Sequence, residues 1–511
     1  INVDAGFGGP VPFISERFGD LRFFLSTRQE QDMYLYEVSS PGLYRTSYLL
    51  KLTSDLTDRS KLVYSFYTGN MEGTTLSRGG GTSIMNDVWD LASQVNSSGF
   101  TMPWRLYTNE YWAPTQVKNT THGLKYTQFL SNDSFYDLIM KIDSKDYITG
   151  HGPRRDTTTT YTIFGSGDNE WLADEAPVGF FGGPLFSVEG RLAFGGAIST
   201  SRDSSRVRTY TLKGNYTIQL NKNHQLKAGG EFVLSDLDLK YGSQNEFLPG
   251  GNYWSMMDVD PYRLSFFAQD KLEYKGFVAI AGINLDYTDP NGDWYVVDQY
   301  DDDFFSSNYT ASSEGLFEKI KLDPQIELSP RLAISHPITE TSKLYFNYGH
   351  YLQMPIAQDL YRVRRGFSEE VLTIGDPTLP MANTIAYEIG FDKSFLESYL
   401  IHLSAYYKDI SEQQDYTKFI SANSKVNYSR LTANSYEDIR GFELELSRVR
   451  GKWLTGFANY EYRVNSSGYF CLSLFLSGPS PTTHFSQSIF CLLYTSPSPR
   501  DQRGSGIPAW G

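Results

Sequence analysis

Apolar and polar residues alternate with a period of two through most of this chain. In the stretch GDPTLPMANTIAYEIGFDKSF, Ile385, Tyr387, Ile389 and Phe391 are apolar, while Thr384, Glu388, Gly390 and Asp392 are polar or small. A period of two places alternate side chains on opposite faces of a β-strand. Leu264, Phe266, Ala268, Leu272 and Tyr274 share one face, and Ser265, Gln269, Lys271 and Glu273 share the other. After Lys275-Gly276 the pattern resumes with Phe277, Ala279, Ala281, Ile283, Leu285 and Tyr287. Similar runs are SKLVYSFYTGN, VRTYTLKGNYTIQL, KLYFNYGHYLQ, YLIHLSAYYKDI, IRGFELELSR and WLTGFANYEYRV. About fifteen candidates precede residue 465, many near the ~10 residues of a tilted membrane strand. The run after His224 is longer and would project beyond a bilayer. The pattern is all-β.

The connections sort by length. Short ones at 57–60, 221–224, 275–276, 339–342, 395–398 and 449–452 alternate with long ones near 71–121, 147–205, 242–261, 289–328, 354–383 and 411–435. Outer-membrane barrels have short periplasmic turns and long extracellular loops, whereas a compact soluble domain has no reason to sort its loops this way. The predicted fold is a large antiparallel transmembrane β-barrel, incomplete in this chain. Aromatic residues near strand ends (Tyr274, Phe277, Tyr287, Phe395, Tyr399, Tyr406, Tyr407, Tyr462) fit interfacial girdles. Two loops carry helical spacing, at Ile84, Val88, Leu91 and Val95 and at Ile356, Leu360 and Val363, which predicts short helices packed over the barrel mouth.

Composition narrows the class. No run approaches the ~18 apolar residues of a spanning helix, yet strands that face lipid on one side only average out as polar. The formal net charge of −14 argues against a nucleic-acid partner, since phosphates need a basic surface. The two cysteines, Cys471 and Cys491, form no disulfide framework. The first residue is Ile1, which reads as a processed protein or a fragment.

These residues resemble the TonB-dependent outer-membrane receptors, particularly those of Bacteroidetes-type bacteria. The resemblance rests on Gly375-Asp376-Pro377-Thr378-Leu379-Pro380 followed by Tyr387-Glu388-Ile389-Gly390. It extends to the upstream hairpin Pro330 to Pro355 and to Ile439-Arg440-Gly441-Phe442-Glu443. It implies that residues 1–20 are the end of a plug or linker leading into the barrel and that 21–470 are part of the barrel. It also implies that the plug precedes Ile1 and that about seven of some 22 strands follow the barrel portion. From Cys471 onward the alternation collapses, and LLYTSPSPRD resembles translated sequencing-adapter readthrough, so 471–511 reads as a non-native or disordered tail.

Chemistry-bearing motifs are sparse. The seven His are scattered without His-Glu-x-x-His or Cys-x-x-Cys, and there is no P-loop lysine and no Gly-x-Ser-x-Gly. Glu443 and Glu445 share a strand face, but Phe442, Leu444 and Leu446 take the lipid side, so the pair reads as lumen-lining rather than as a glycosidase pair. Asp289, Asn291 and Asp293 offer alternate oxygen ligands as calcium loops do, although Asp-Pro-Asn-Gly is also a turn sequence. The acidic run Asp301-Asp302-Asp303 before Phe304-Phe305 reads as a solvated loop.

The expected function is import of a scarce nutrient (a siderophore, cobalamin, glycan or peptide) bound in the extracellular loops, with Gln269, Glu388, Glu443 and Glu445 lining the lumen. The family resemblance implies outer-membrane lipid around the barrel and a TonB energy-coupling complex acting through the region before Ile1. A surface lipoprotein that captures the ligand is a further partner of this kind. No enzyme activity and no cofactor are implied. The alternatives are a non-transporting barrel or adhesin and a soluble β-rich glycan-binding protein.

Overall fold

The computed structural model describes residues 1–35, 38–76, 83–97, 112–150, 199–244, 253–366, 368–448, 450–451 and 454–469, with short strands at 161–164, 171–173, 186–188, 192–194 and 474–477. Sixteen long strands follow one another as an antiparallel meander. They are β1 Asn2–Pro10, β2 Arg22–Met33, β3 Gly42–Thr57 and β4 Ser60–Thr74. Next come β5 Pro114–Phe129, β6 Ser134–Thr149, β7 Arg206–Gln219 and β8 His224–Ser243. The third quartet is β9 Tyr262–Tyr274, β10 Phe277–Asp289, β11 Gln325–Thr339 and β12 Ser342–Gln353. The last is β13 Ala382–Phe395, β14 Tyr399–Ser421, β15 Asn427–Arg448 and β16 Gly456–Tyr469. Each pairs with the next, from β1 with β2 through to β15 with β16.

The turns follow the predicted sorting. Tyr274 pairs with Phe277 across Lys275-Gly276, whose φ values of 50° and 83° are both positive, as a two-residue type I′ hairpin requires. At the other end, the connections 290–324 and 354–381 hold α2 Asp302–Phe305, α3 Ala357–Leu360 and short strands. α1 Val88–Ser97 lies in the loop after β4, with Leu91 buried beside Ile84, Met85 and Trp112.

The wall has two chemical faces. Ile389, Phe442 and Leu444 are 49 %, 41 % and 41 % exposed although they sit mid-strand in an ordered sheet. Register joins them into one apolar surface, since Ile389 faces Ala405, Ala405 faces Phe442, and Leu403 faces Leu444. A contiguous exposed apolar band of this kind is what lipid covers. Aromatic pairs border it. Tyr387 lies 5.2 Å from Tyr348 and 6.3 Å from Tyr407 toward the loop end, while Phe395 stacks on Tyr399 at 5.2 Å beside the short turn.

Residues 2–10 form β1 and pair along their length with β2; their glycines hide the alternation. Three expectations need correction. The expected loop 411–435 is mostly hairpin, because β14 continues to Ser421 and β15 starts at Asn427. Register shifts around Glu412, whose φ is 55°, break the period of two and conceal the strand continuation. Tyr406 does not join the outer girdle. It is opposite Glu388 on the inner face, because of two adjacent tyrosines only Tyr407 can point outward. Val363 lies beyond α3 and begins a short strand, Val363–Arg365. Of the expected tail, Leu474–Ser477 pairs in parallel with the end of β14, and 478–511 lie outside the described residues.

Candidate functional site

Strand alternation turns every second side chain of the wall inward, and there the polar residues form networks. Glu388 on β13 accepts a hydrogen bond from the Tyr345 hydroxyl at 2.9 Å and from Asn347 Nδ2 at 3.4 Å. Two residues along, the Tyr345 ring covers Gly390, its cross-strand partner. A Cβ on Gly390 would lie 2.2 Å from that ring, so only glycine lets the aromatic lie flat on the wall. Below, Asp392 bridges Lys343 Nζ at 3.0 Å and His402 Nδ1 at 2.5 Å. Glu443 pairs in register with Ser404 and Glu445 with His402, and Asn459 Nδ2 donates to Glu443 Oε1 at 2.9 Å.

The register thus puts Glu388, Glu443 and Glu445 on one face of β13 to β15, opposite the face of Ile389, Phe442 and Leu444. Gln269 is on β9, farther round the wall, and lines a 690 Å³ recess that also reaches Glu388. Sequence reasoning missed the recess's cations, Lys213, Lys227, Arg263 and Arg331. Their signal was only their parity with Gln269, which an unregistered strand list does not convert into proximity. A second recess of 700 Å³ lies among β2 to β6, where Glu30 is 3.7 Å from Arg28 and 3.5 Å from Arg45.

Above the wall the loops build a hydrophobic core of their own. The 290–324 connection supplies Trp294, Phe304, Phe305 and Leu322; the 354–381 connection supplies Leu360, Tyr361, Val371 and Ile374; the projecting β14–β15 hairpin supplies Phe419, Val426, Tyr428 and Leu431. Phe305 stacks on Tyr428 at 4.0 Å and 10°, and Phe419 lies 5.3 Å from the same ring. The acidic run has a structural task here. Asp301 Oδ1 caps α2 by accepting from the Asp303 and Phe304 amides, which delivers Phe304 and Phe305 to the core rather than to solvent.

The Gly375–Pro380 motif ties this loop core to the wall. Asp376 is buried and meets Arg430 Nη2 at 2.5 Å, while its other oxygen accepts from the Thr378 amide and hydroxyl. Gln325 Nε2 at the head of β11 donates to the Leu379 carbonyl at 3.0 Å, and Gln414 Nε2 donates to the Pro380 carbonyl at 2.7 Å. Gly375 passes so close to the Leu360 carbonyl that a Cβ would lie 2.1 Å from its oxygen. Burial, reinforced by the Asp289 charge, pushes the Tyr361 phenol above its ordinary pKa, and its hydroxyl donates to the Pro290 carbonyl at 3.0 Å. Tyr300 is raised likewise, by burial and then by Asp298.

Asp289, Asn291 and Asp293 sit where the 290–324 connection leaves β10. One Asp289 oxygen accepts from the Tyr262 and Tyr287 hydroxyls and the other from the Asn291 amide, while Asn291 Nδ2 donates to the Asp260 carbonyl. This is the hydrogen-bond pattern of an Asx turn. Among the described residues no group of three or more His, Cys, Asp or Glu is arranged to hold a metal ion.

Residues 28–485 match the family model described as TonB dependent receptor-like, beta-barrel. Solved structures share the fold at low identity. The FrpB iron transporter of Neisseria meningitidis superposes with a TM-score of 0.54 at 12 % identity, covering 91 % of this chain and 62 % of that one. The alcaligin outer-membrane receptor FauA of Bordetella pertussis gives 0.52 at 12 %, covering 91 % and 59 %. The outer-membrane transporter YddB of Escherichia coli gives 0.57 at 14 %, covering 91 % and 54 %. The chain therefore spans about three fifths of the length of these structures. No curated protein matches in sequence.

Proposed function

This chain belongs to the TonB-dependent receptor β-barrel family of the bacterial outer membrane, and from that premise we propose that it forms the wall and the extracellular loop platform of a nutrient-import receptor. The observation that carries the reading is the two-faced wall beneath a folded loop core. Its outer face is apolar and exposed, its inner face carries hydrogen-bonded carboxylates, and one end is built up by packed loops. In this reading the ligand is held by the loops and passes along polar inner positions such as Gln269, Glu388, Glu443 and Glu445. Energy comes from a TonB complex that pulls on a plug segment supplied outside residues 1–511. A surface lipoprotein presenting the ligand to the loop platform fits the same arrangement. No covalent chemistry is assigned to the chain.

The test is uptake by cells carrying or lacking the full-length gene, screened over iron chelates, cobalamin, oligosaccharides and peptides, with and without the energy-coupling complex. Accumulation that needs both the gene and the coupling complex supports import. Ligand binding or surface adhesion that is indifferent to coupling would favour a non-transporting barrel.

A further inference from the structure

Cations near the short-turn end of the wall fall into two sets. Inward-facing ones meet carboxylates: Lys125 is 3.3 Å from Asp137, Lys271 3.1 Å from Glu273 and Lys343 3.0 Å from Asp392. Three that face outward or sit in a turn meet no carboxylate among the described residues. Arg448 lies over the Tyr399 ring at 5.1 Å and Lys275 over the Tyr274 ring at 5.4 Å, while Lys393 Nζ donates to the Thr341 hydroxyl at 2.9 Å. An aromatic face steadies a cation but does not neutralise it.

Arg448 has the fullest surroundings. Register sets Phe395, Tyr399, Arg448 and Gly456 in one outward row across β13 to β16. Gly456 leaves open space beside the guanidinium, since a Cβ there would meet no atom within 4 Å. Gly451, in the turn, comes so close that a Cβ on it would lie 3.1 Å from Arg448 Nε. That nitrogen is buried and unpaired, so the two Nη groups are the ones that can serve a ligand, and they have no acceptor among the described residues.

A separate observation points to the kind of ligand. Toward the loops on the same face of β15 lie Leu446, Leu444 and Phe442, which are 40 %, 41 % and 41 % exposed. From Arg448 to Phe442 an antiparallel strand climbs about 20 Å. With the tilt of a membrane barrel this covers about 15 Å of depth, half of the ~30 Å hydrocarbon core. A cation at the boundary of an apolar column one leaflet deep matches the shape of a lipid with a charged head.

We infer that Arg448 seats the headgroup phosphate of an anionic phospholipid in the periplasmic leaflet, where the short turns of such barrels lie. Tyr399 holds the guanidinium flat, and an acyl chain runs along Leu446, Leu444 and Phe442. Lys275 and Lys393 offer further contacts to anionic headgroups around the same rim. The barrel interior takes no part. This inference goes beyond the import reading and needs only a wall that spans the membrane.

The test is native mass spectrometry of the full-length receptor, released from micelles holding equal amounts of phosphatidylglycerol and phosphatidylcholine. The retained lipid should be mostly phosphatidylglycerol, and less should be kept as salt rises. Arg448→Gln should lower the phosphatidylglycerol adduct roughly fivefold, the worth of one basic residue at an anionic membrane surface. Arg448→Lys, which keeps the charge, should recover part of the loss. Lys118→Gln, which removes an exposed cation at the other end of the wall, should change nothing. Gly456→Glu puts a carboxylate into the open space beside Arg448 and should lower the adduct as Arg448→Gln does, so it carries the test if the latter does not assemble. Equal retention of the two lipids overturns the proposal, as does phosphatidylglycerol retention indifferent to Arg448 and to Gly456→Glu. Displacement of the lipid by free glycerol phosphate at equal concentration would also overturn it, by showing an anion site without an acyl column. Energy-coupled uptake does not enter this measurement, so a failure of the import reading leaves the lipid seat standing, and the reverse.

Discussion

Asp376 and Arg430 meet at 2.5 Å across 54 residues of sequence, with the Asp376 side chain 8 % exposed. This contact links the turn-rich 354–381 connection to the projecting β14–β15 hairpin, so the loops of this region behave as one packed body. Replacing Arg430 by Ala leaves a buried carboxylate without its cation. The expected cost is about 3 kcal/mol, the lower end for breaking a buried pair, because Arg430 itself is partly exposed. Limited proteolysis should cut within 354–381 much faster, while the heat-modifiable mobility of the barrel stays unchanged. Equal cleavage rates would show that the pair does not hold the loop.

Tyr428 stands between Phe305 and Phe419 and donates to the Gln299 carbonyl at 3.0 Å. Tyr428→Phe removes only the hydrogen bond and should cost about 1 kcal/mol, whereas Tyr428→Ala opens the loop core and should cost about 3–5 kcal/mol. Hydrogen exchange is the readout. In the alanine variant protection should fall in 290–324 and 354–381 together, and in the phenylalanine variant it should hardly move.

Gly390→Ala places a methyl against the Tyr345 ring. Overpacking of this kind costs about 1–3 kcal/mol, read as a lower urea midpoint for unfolding of the folded barrel. Adding Tyr345→Ser should recover most of the loss, because the two positions are direct cross-strand partners and their effects do not add. A double variant less stable than either single one would contradict the contact.

The phenols of Tyr361 and Tyr300 are raised by burial. In the unfolded chain a tyrosine ionises near about pH 10. Below that pH both states are protonated and the full stability of the loop core is present. Above it the unfolded state loses protons that the folded state keeps, so stability falls as pH rises toward the folded values. The loop core should therefore loosen in alkali before the barrel wall does, with phenolate absorbance rising together with loop proteolysis.

Much of the wall was legible from the chain alone. Phe442, Leu444 and Leu446 against Glu443 and Glu445 fix both faces of β15, since a period of two admits no other assignment. Lys275-Gly276 marked its hairpin for the same local reason. What the sequence hid depends on register or on broken periods. The bulge near Glu412 concealed the continuation of β14, and glycines concealed β1. Arg331 and Gln269 lie 62 residues apart by their numbering, and only the pairing of β9, β10 and β11 makes them neighbours. The role of Asp376 needed the position of Arg430, which no local pattern gives.

The central claim is that this wall separates lipid from a wet interior, and adjacent residues of β15 test it most directly. Glu443→Cys and Leu444→Cys would be placed singly in the full-length protein lacking Cys471 and Cys491, and labelled in outer-membrane vesicles. A water-soluble maleimide should modify the variant at position 443 and spare the one at 444, while a lipid-dissolved probe should show the reverse preference. Equal reaction of both positions with the water-soluble reagent would contradict a membrane-spanning wall.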